Sequence, residues 1–348
     1  MHIDELLAFS KESGASDLHL STGSTPMVRI NGTMRKLNLP VNLENGKLKD
    51  MIYEILKGDQ KEKLERDFEI DFSYALPNVA RFRVNVFHQI LGIGAVFRTI
   101  PEEIKGFEEL GIPLVLRDLA LKDRGLVLLT GPTGSGKTTT LATMINHINE
   151  NRQCHIITIE DPVEFFHSSK NSLINQRELG ATTHSFANAL RAALREDPDV
   201  ILVGEMRDRE TVQLALTASE TGHLVLSTVH TSGAPKTINR IIDIFPSEQQ
   251  PQIRSMLSES LEGVINQKLL PTKDGKGRVV GAEVMIATPA VRNLIRENKI
   301  YEIPSVIQSS SHVGMQTLDD DLRRLVVEGK INKADAAKVA DDPEWFMR

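Results

Sequence analysis

Cysteine is almost absent. The single Cys154 excludes an internal disulfide and any zinc site built from several cysteines, and it fits a reducing compartment. Long apolar runs are missing too: none approaches the roughly 18 residues that a membrane-spanning helix needs. The first ten residues carry Asp4 and Glu5 and no basic segment, so neither a secretory signal nor a membrane span is expected. Positive charge is not in excess. Lys and Arg number 41 against 47 Asp and Glu, a formal net charge of −6, so no global field attracts a nucleic-acid backbone. A local basic groove stays open. The expectation is a cytoplasmic protein with no nucleic-acid partner and no zinc.

What is present reads as a globular chain. With 348 residues and roughly 150 per domain, two domains are expected, and 25% charged with 40% apolar residues excludes a disordered or fibrous protein. The join falls at 101–113, where Pro101, Gly106, Gly111 and Pro113 alternate with Glu102, Glu103, Glu108 and Glu109 as in a linker. Upstream, residues 1–100 read as a small α+β domain. The alternating Met27-Val28-Arg29-Ile30 runs into an Asn31-Gly32 hairpin signal, strands are expected over 69–75, 80–89 and 94–99, and one helix over 48–64.

Downstream, short apolar runs at 126–130, 156–159, 200–203 and 224–227 alternate with helices, the pattern of a doubly wound α/β core with buried parallel strands. Phe186, Ala189, Leu190, Ala193 and Leu194 make one stripe of a helix expected to be closed by Pro198. From about residue 247 strand signals fade. Helices are expected over 248–269, 289–298 and 318–328, with a polar turn at 273–277. Residues 114–348 thus form the second domain, with a helical C-terminal part.

The sharpest motif is Gly131-Pro132-Thr133-Gly134-Ser135-Gly136-Lys137-Thr138, followed by Thr139. It fits G-x-x-x-x-G-K-[ST] after an apolar strand and before a helix. Glycines let successive N–H groups curl around phosphate oxygens, and the helix N-terminus adds its positive end. Lys137 is expected on the β- and γ-phosphates of ATP and the Thr138 hydroxyl on Mg²⁺.

In a parallel sheet the ligand sits beyond the carboxyl ends of the strands, which singles out Glu160-Asp161-Pro162-Val163-Glu164 and Gly204-Glu205. One carboxylate near Mg²⁺ can hold metal-bound water and another can orient or deprotonate the attacking water. Either cluster also reads as a solvated turn. Because Glu205 stands where an Asp is usual, Mg²⁺ is expected to be held largely through water. His223 and His230 flank one strand but lie about 23 Å apart on opposite faces, so they cannot share a metal. His230, at the carboxyl end, is the candidate for sensing the γ-phosphate, against a capping or core role for either residue. Arg81 and Arg83 share a strand face. With Arg98 they read as surface charges or as arginine fingers for a nucleotide on a neighbouring domain or subunit. Asp197, Arg207 and Asp208 form ion pairs or merely solvate a turn.

Taken in order, these motifs resemble the secretion ATPase superfamily, and specifically the type IV pilus retraction, or twitching-motility, ATPases. Ile159-Glu-Asp-Pro-Val-Glu164 is similar to the family's Asp box, whose last glutamate is catalytic. Residues 201–208 resemble its atypical Walker B and residues 222–231 its His box. Gly14-Ala-Ser-Asp-Leu-His19 resembles the opening of a PAS-like domain whose arginines contact nucleotide. Ala290-Val-Arg-Asn-Leu-Ile-Arg-Glu297 is similar to the retraction signature A-I-R-N-L-I-R-E, with Val291, Leu294 and Ile295 expected inward and Arg292, Asn293, Arg296 and Glu297 outward as a coupling surface.

The resemblance implies a RecA-like P-loop core behind a PAS-like domain, in a homo-hexameric Mg²⁺-dependent ATPase motor. It would work at the cytoplasmic face of the inner membrane on a pilus platform protein, withdrawing pilin indirectly. Glu164 would activate water, Glu205 would support metal or water, and Arg81, Arg83, Arg98 and His230 would complete the catalytic set. Rotation of the small domain through the linker would carry the motion. Pilus-extension and type II secretion ATPases usually have a longer N-terminal region and a four-cysteine zinc motif, and the expectation here is of neither. A nucleic-acid translocase or a non-hydrolysing nucleotide-binding regulator are the readings from other classes.

Overall fold

Period-two alternation organises the N-terminal sheet. The computed structural model describes residues 2–30, 32–37, 43–100 and 103–347. The chain divides into two compact units, Met1–Glu103 with Glu164–Phe166, and Ile104–Val163 with His167–Arg348. In the first unit α1 (Ile3–Glu12) precedes β1 (Asp17–Ser21), β2 (Met27–Ile30) and β3 (Thr33–Lys36). Then come α2 (Asn45–Ile55), α3 (Gly58–Asp67), β4 (Glu69–Leu76), β5 (Ala80–Gln89) and β6 (Gly92–Ile100).

The six strands form one antiparallel sheet in the order β3-β2-β1-β6-β5-β4. Ala80, Phe82, Val84 and Val86 of β5 point into a core shared with Ile3, Leu7, Leu48, Ile52 and Leu64 of the helices. The alternate residues Arg81 and Arg83 are exposed, as alternation requires. The single helix expected over 48–64 is two: the chain becomes extended at the buried Leu56 and restarts after Lys57. Of the hairpin signal, Asn31 lies outside the described residues; Gly32 stands at φ +80° between β2 and β3.

The second unit opens with α4 (Phe107–Leu110) and α5 (Val115–Ala120), then β7 (Gly125–Thr130), α6 (Lys137–Asn151), β8 (His155–Glu160) and β9 (Leu173–Glu178). It continues with α7 (Phe186–Ala193), β10 (Val200–Val203), α8 (Arg209–Glu220), β11 (Leu224–Val229), α9 (Ala234–Asp243) and α10 (Gln250–Ser260). The remainder is β12 (Leu261–Pro271), β13 (Arg278–Ile286), α11 (Pro289–Arg296), α12 (Ile303–Ser309), α13 (Leu318–Val327), α14 (Lys333–Ala337) and α15 (Glu344–Met347). The sheet order is β13-β12-β7-β11-β10-β8-β9, parallel throughout except for the β12–β13 hairpin. Strands β7, β10 and β11 are buried at every residue. Leu126 and Leu128 face a core with α7 to α11, whereas Val127 and Leu129 face α5 and α6. Burial on both faces explains why these strands read as unbroken apolar runs.

Three expectations change. Pro101 and Glu102 of the linker lie outside the described residues. The rest of it belongs to the second unit from Ile104, where Phe107 and Ile112 are buried. The helix expected over 248–269 stops at Ser260, and residues 261–271 form a strand. Its apolar residues Leu261, Val264, Ile265 and Leu269 fall at helical spacing, and what decides is the partner strand supplied across the polar turn at 273–277. Helix α7 ends before Pro198: Leu194 is its C-cap, and Asp197 at φ +54° turns the chain.

His167 is buried in this unit, its backbone N–H donating to Gln176 of β9, and burial, reinforced by Lys170, pushes its imidazole down to about 4. The native chain therefore holds it neutral while the unfolded chain takes up a proton below about 6.5. Its contribution to stability is complete above that pH and declines as pH falls toward 4. From pH 7 to pH 5 the loss should be about 2 kcal/mol. The melting midpoint of the parent should fall over this range by more than that of His167→Asn, read by thermal denaturation of both proteins at each pH.

Candidate active site

The phosphate loop is shaped by what cannot fit beside it. Gly131, the first residue beyond β7, has φ +132°, and a Cβ there would collide with the carbonyl oxygen of Gln267 and lie 2.8 Å from Ser135 Oγ. Gly136, at φ +92°, is the N-cap of α6 and turns the chain so that the first N–H groups of the helix face the loop. Lys137 is only 7% exposed, and its Nζ donates to the carbonyls of Gly131 at 2.9 Å and Pro132 at 3.0 Å. An ammonium resting on loop carbonyls can exchange them for phosphate oxygens without crossing an energetically empty position. Thr138 and Thr139 stand partly exposed in the first turn of α6. Strand β12 braces the loop from outside: Gln267 Nε2 donates to Thr140 Oγ1 at 2.9 Å, and Thr130 Oγ1 lies 3.4 Å from Asn266 Oδ1.

Two neighbouring strand ends supply the next group. Glu205 follows β10 and His230 follows β11. The Glu205 carboxylate, 20% exposed, lies 2.8 Å from Arg207 Nη2 and 3.4 Å from His230 Nε2. Burial pushes the Glu205 carboxyl up, but Arg207 and His230 outweigh it and hold the group below its ordinary value. Hydroxyls of β11 fix this turn, with Ser227 Oγ donating to the Val203 carbonyl at 2.6 Å and Thr228 Oγ1 to that of Gly204 at 2.7 Å. The structure thus brings Glu205, Arg207 and His230 together. It assigns His223 to capping, with Nδ1 2.9 Å from the Ala218 carbonyl at the end of α8. Asp208 is the N-cap of α8, accepting from Thr211 N at 2.9 Å, so of Asp197, Arg207 and Asp208 the ion pair belongs to Arg207.

The Asp-box segment divides. Glu160 is buried and accepts from Thr158 Oγ1 at 2.6 Å and Gln176 Nε2 at 3.3 Å. Glu178 Oε2 accepts from Val163 N at 3.0 Å and Gln176 Oε1 from His167 N at 2.8 Å, so two residues of β9 brace both ends of the segment that carries Glu164. Glu164 itself is exposed, falls with the first unit, and makes no ion pair among the described residues. In that unit the Arg81 guanidinium lies 3.9 Å from the centre of the Phe166 ring. Arg83 sits opposite Arg98 across β5 and β6, and Arg98 Nε is 2.9 Å from Asp17 Oδ1.

Residues 2–279 match the model of the family described as Type II/IV secretion system protein. Over 346 residues, 99% of this chain and 100% of the relative, the chain is 55% identical to a Pseudomonas aeruginosa protein named as a type IV pilus retraction ATPase, PilT. It is 57% identical over 320 residues, 92% of this chain and 85% of the relative, to a Neisseria gonorrhoeae twitching motility protein. A crystal structure of the pilus retraction motor PilT with bound ADP superposes with a TM-score of 0.93 at 47% identity, covering 99% of this chain and 98% of that one. The chain belongs to the type II/IV secretion ATPase family, among its pilus-retraction members. It is an ATP hydrolase that binds adenine nucleotide.

The retraction signature on α11 is only partly a free surface. Val291 and Ile295 are buried as expected, but Arg292 is turned inward: Nη1 donates to the carbonyls of Ser258 and Glu259, and Nη2 lies 2.6 Å from Glu262. It closes the C-terminus of α10, leaving Asn293, Arg296 and Glu297 outward. Among the described residues no group of three or more His, Cys, Asp and Glu could hold a metal ion. A hard cation here would draw on the Thr138 hydroxyl, Glu205, water and nucleotide oxygens, which is how Mg²⁺ usually sits beside phosphates.

Sequence reasoning missed the supporting residues Gln176, Glu178, Asn266 and Gln267. The polar pair Asn266-Gln267 between the apolar pairs Val264-Ile265 and Leu269-Leu270 was an available signal, whereas nothing local marks β9. Gly131→Ala should weaken ADP binding about 30-fold, roughly 2 kcal/mol of loop strain, with the fold kept. Calorimetric titration with ADP, alongside circular dichroism, checks it.

Proposed function

We propose that the chain is the Mg²⁺-dependent ATPase motor that powers type IV pilus retraction, working as a homo-hexameric ring at the cytoplasmic face of the inner membrane. It would act on a membrane platform protein and withdraw pilin subunits indirectly. The observation that carries the reading is the joint placement of a glycine cradle with Lys137 parked on it and the Glu205–His230 pair on adjacent strand ends. The names of the relatives, at 55% and 57% identity over most of the chain, support the biological setting.

Lys137 leaves the Gly131 and Pro132 carbonyls for the β- and γ-phosphates, while backbone N–H groups of residues 133–139 donate to the phosphate chain. Thr138 would hold Mg²⁺ directly and Glu205 through water, and the bound ion would supply charge neutralisation to the triphosphate. Glu164 orients the attacking water and takes its proton as the new bond to the γ-phosphorus forms and the bond to the β-phosphate oxygen breaks. His230 senses the γ-phosphate beside Glu205. Arg81, Arg83 and Arg98, on one exposed sheet face, neutralise the developing charge on a nucleotide held by a neighbouring subunit. For Arg81 this requires leaving the Phe166 ring. Hydrolysis would then drive rotation of the N-terminal unit, and the outward Asn293, Arg296 and Glu297 would pass the motion to the partner.

Glu164→Gln separates binding from chemistry. It should bind ATP with an affinity within a few-fold of the parent while kcat falls between about a hundredfold and ten-thousandfold. Steady-state phosphate release and equilibrium ATP binding decide this, and wild-type turnover in the variant would remove Glu164 from the mechanism.

A further inference from the structure

The β12–β13 hairpin reaches two catalytic loops at once. Asn266 of β12 stands in register with Thr130 on one side and with Glu283 of β13 on the other. Toward β7, Asn266 meets Thr130 at the end of that strand and the Gln267 backbone abuts Gly131 of the phosphate loop. Toward α9, Glu283 Oε1 accepts a 2.7 Å hydrogen bond from the backbone N–H of Ala234. Ala234 is the first residue of α9, so this amide has no partner inside its own helix. It is also four residues beyond His230, with only Thr231, Ser232 and Gly233 between.

That short loop is held at two points. From within, Thr231 Oγ1 pairs with Thr237 Oγ1 at 2.7 Å, and Thr237 Oγ1 donates to the Gly233 carbonyl at 2.8 Å. From outside, the pin is Glu283. Gly233 lies between the two at φ +96°, a conformation open to glycine, so its torsions rather than a side chain set the direction in which the loop leaves the helix. Burial pushes the Glu283 carboxyl up, and the Ala234 amide pulls the other way, followed by opposing effects of Asp341 and Lys268. A carboxylate in such a place gains more than an exposed one from a single well-placed donor.

We propose that Glu283 is a positioning residue for ATP hydrolysis, holding the Ala234 amide so that the loop from Thr231 to Gly233 presents His230 to Glu205. The inference rests on the reading of His230 and Glu205 given above. The hairpin then has a mechanical role, because one rigid ladder sets both the phosphate loop and the γ-phosphate sensor and the two keep a fixed spacing.

Mg-ATP turnover of the full chain, measured for Glu283→Ala, His230→Ala and the double variant, tests it. Glu283→Ala should lower kcat about tenfold to a hundredfold, the effect of misplacing a group near the reacting atoms. Its KM for ATP should stay within twofold, because Lys137 and its loop are untouched. The double variant should be no slower than His230→Ala alone. Glu283→Gln, which keeps an acceptor oxygen, should regain most of the loss. If Glu283→Ala does not fold, Glu283→Asp carries the test: it keeps the charge but falls one methylene short of the amide, and the same kcat loss is expected.

Parental kcat in Glu283→Ala, or in Glu283→Asp where Glu283→Ala does not fold, beside a slow His230→Ala would overturn the proposal alone. So would losses that multiply in the double variant, or a raised KM with kcat kept, which would move the role to the phosphate loop. A His230→Ala enzyme at full turnover would remove the His230 reading itself, and the proposal with it.

Discussion

Thr130 lies beside Val229, and Val203 beside Ser227, in three adjacent parallel strands, so the phosphate loop, His230 and Glu205 leave the sheet along one edge. Every chemical feature of the core depends on that register. It is held first by burial, because a one-residue slip of β7 would exchange Leu126 and Leu128 with Val127 and Leu129 between the two cores. It is held next by the β11 hydroxyls that bond the Val203 and Gly204 carbonyls. Ser227 and Thr228 are therefore part of the site's support, although they touch no substrate.

The chemistry was legible in the sequence where it depends on neighbours along the chain. A phosphate cradle needs glycines, a lysine and a hydroxyl at fixed spacing, and residues 131–138 carry them in order. The four strands at 126–130, 156–159, 200–203 and 224–227 were legible because burial on both faces leaves no charged residue in them and only Thr130, Thr158 and Ser227 as polar ones. The supports were not legible. Gln176 and Glu178 act through a strand with only two apolar residues, and Glu283 acts on a helix start 49 positions upstream. Arg292 looked outward because a helical wheel measures direction alone, whereas the end of α10 supplies carbonyls that reach around the helix to meet it.

The β12–β13 hairpin illustrates the limit most clearly. Periodicity left residues 261–269 as helix, and the structure places there the strand that abuts the phosphate loop. Its cost and its use come together: Gly131 must be glycine because the Gln267 backbone is so near, and that nearness lets the hairpin fix the loop.

In the proposed function the arginines of one subunit complete the site of another. The direct measurement mixes Lys137→Ala chains, which keep the arginines, with Arg81→Ala/Arg83→Ala/Arg98→Ala chains, which keep the phosphate loop, and follows Mg-ATP turnover as subunits exchange. Turnover in the mixture well above the sum of the two proteins alone is the predicted result. Turnover no greater than that sum, with exchange verified by labelled chains, would contradict a shared site.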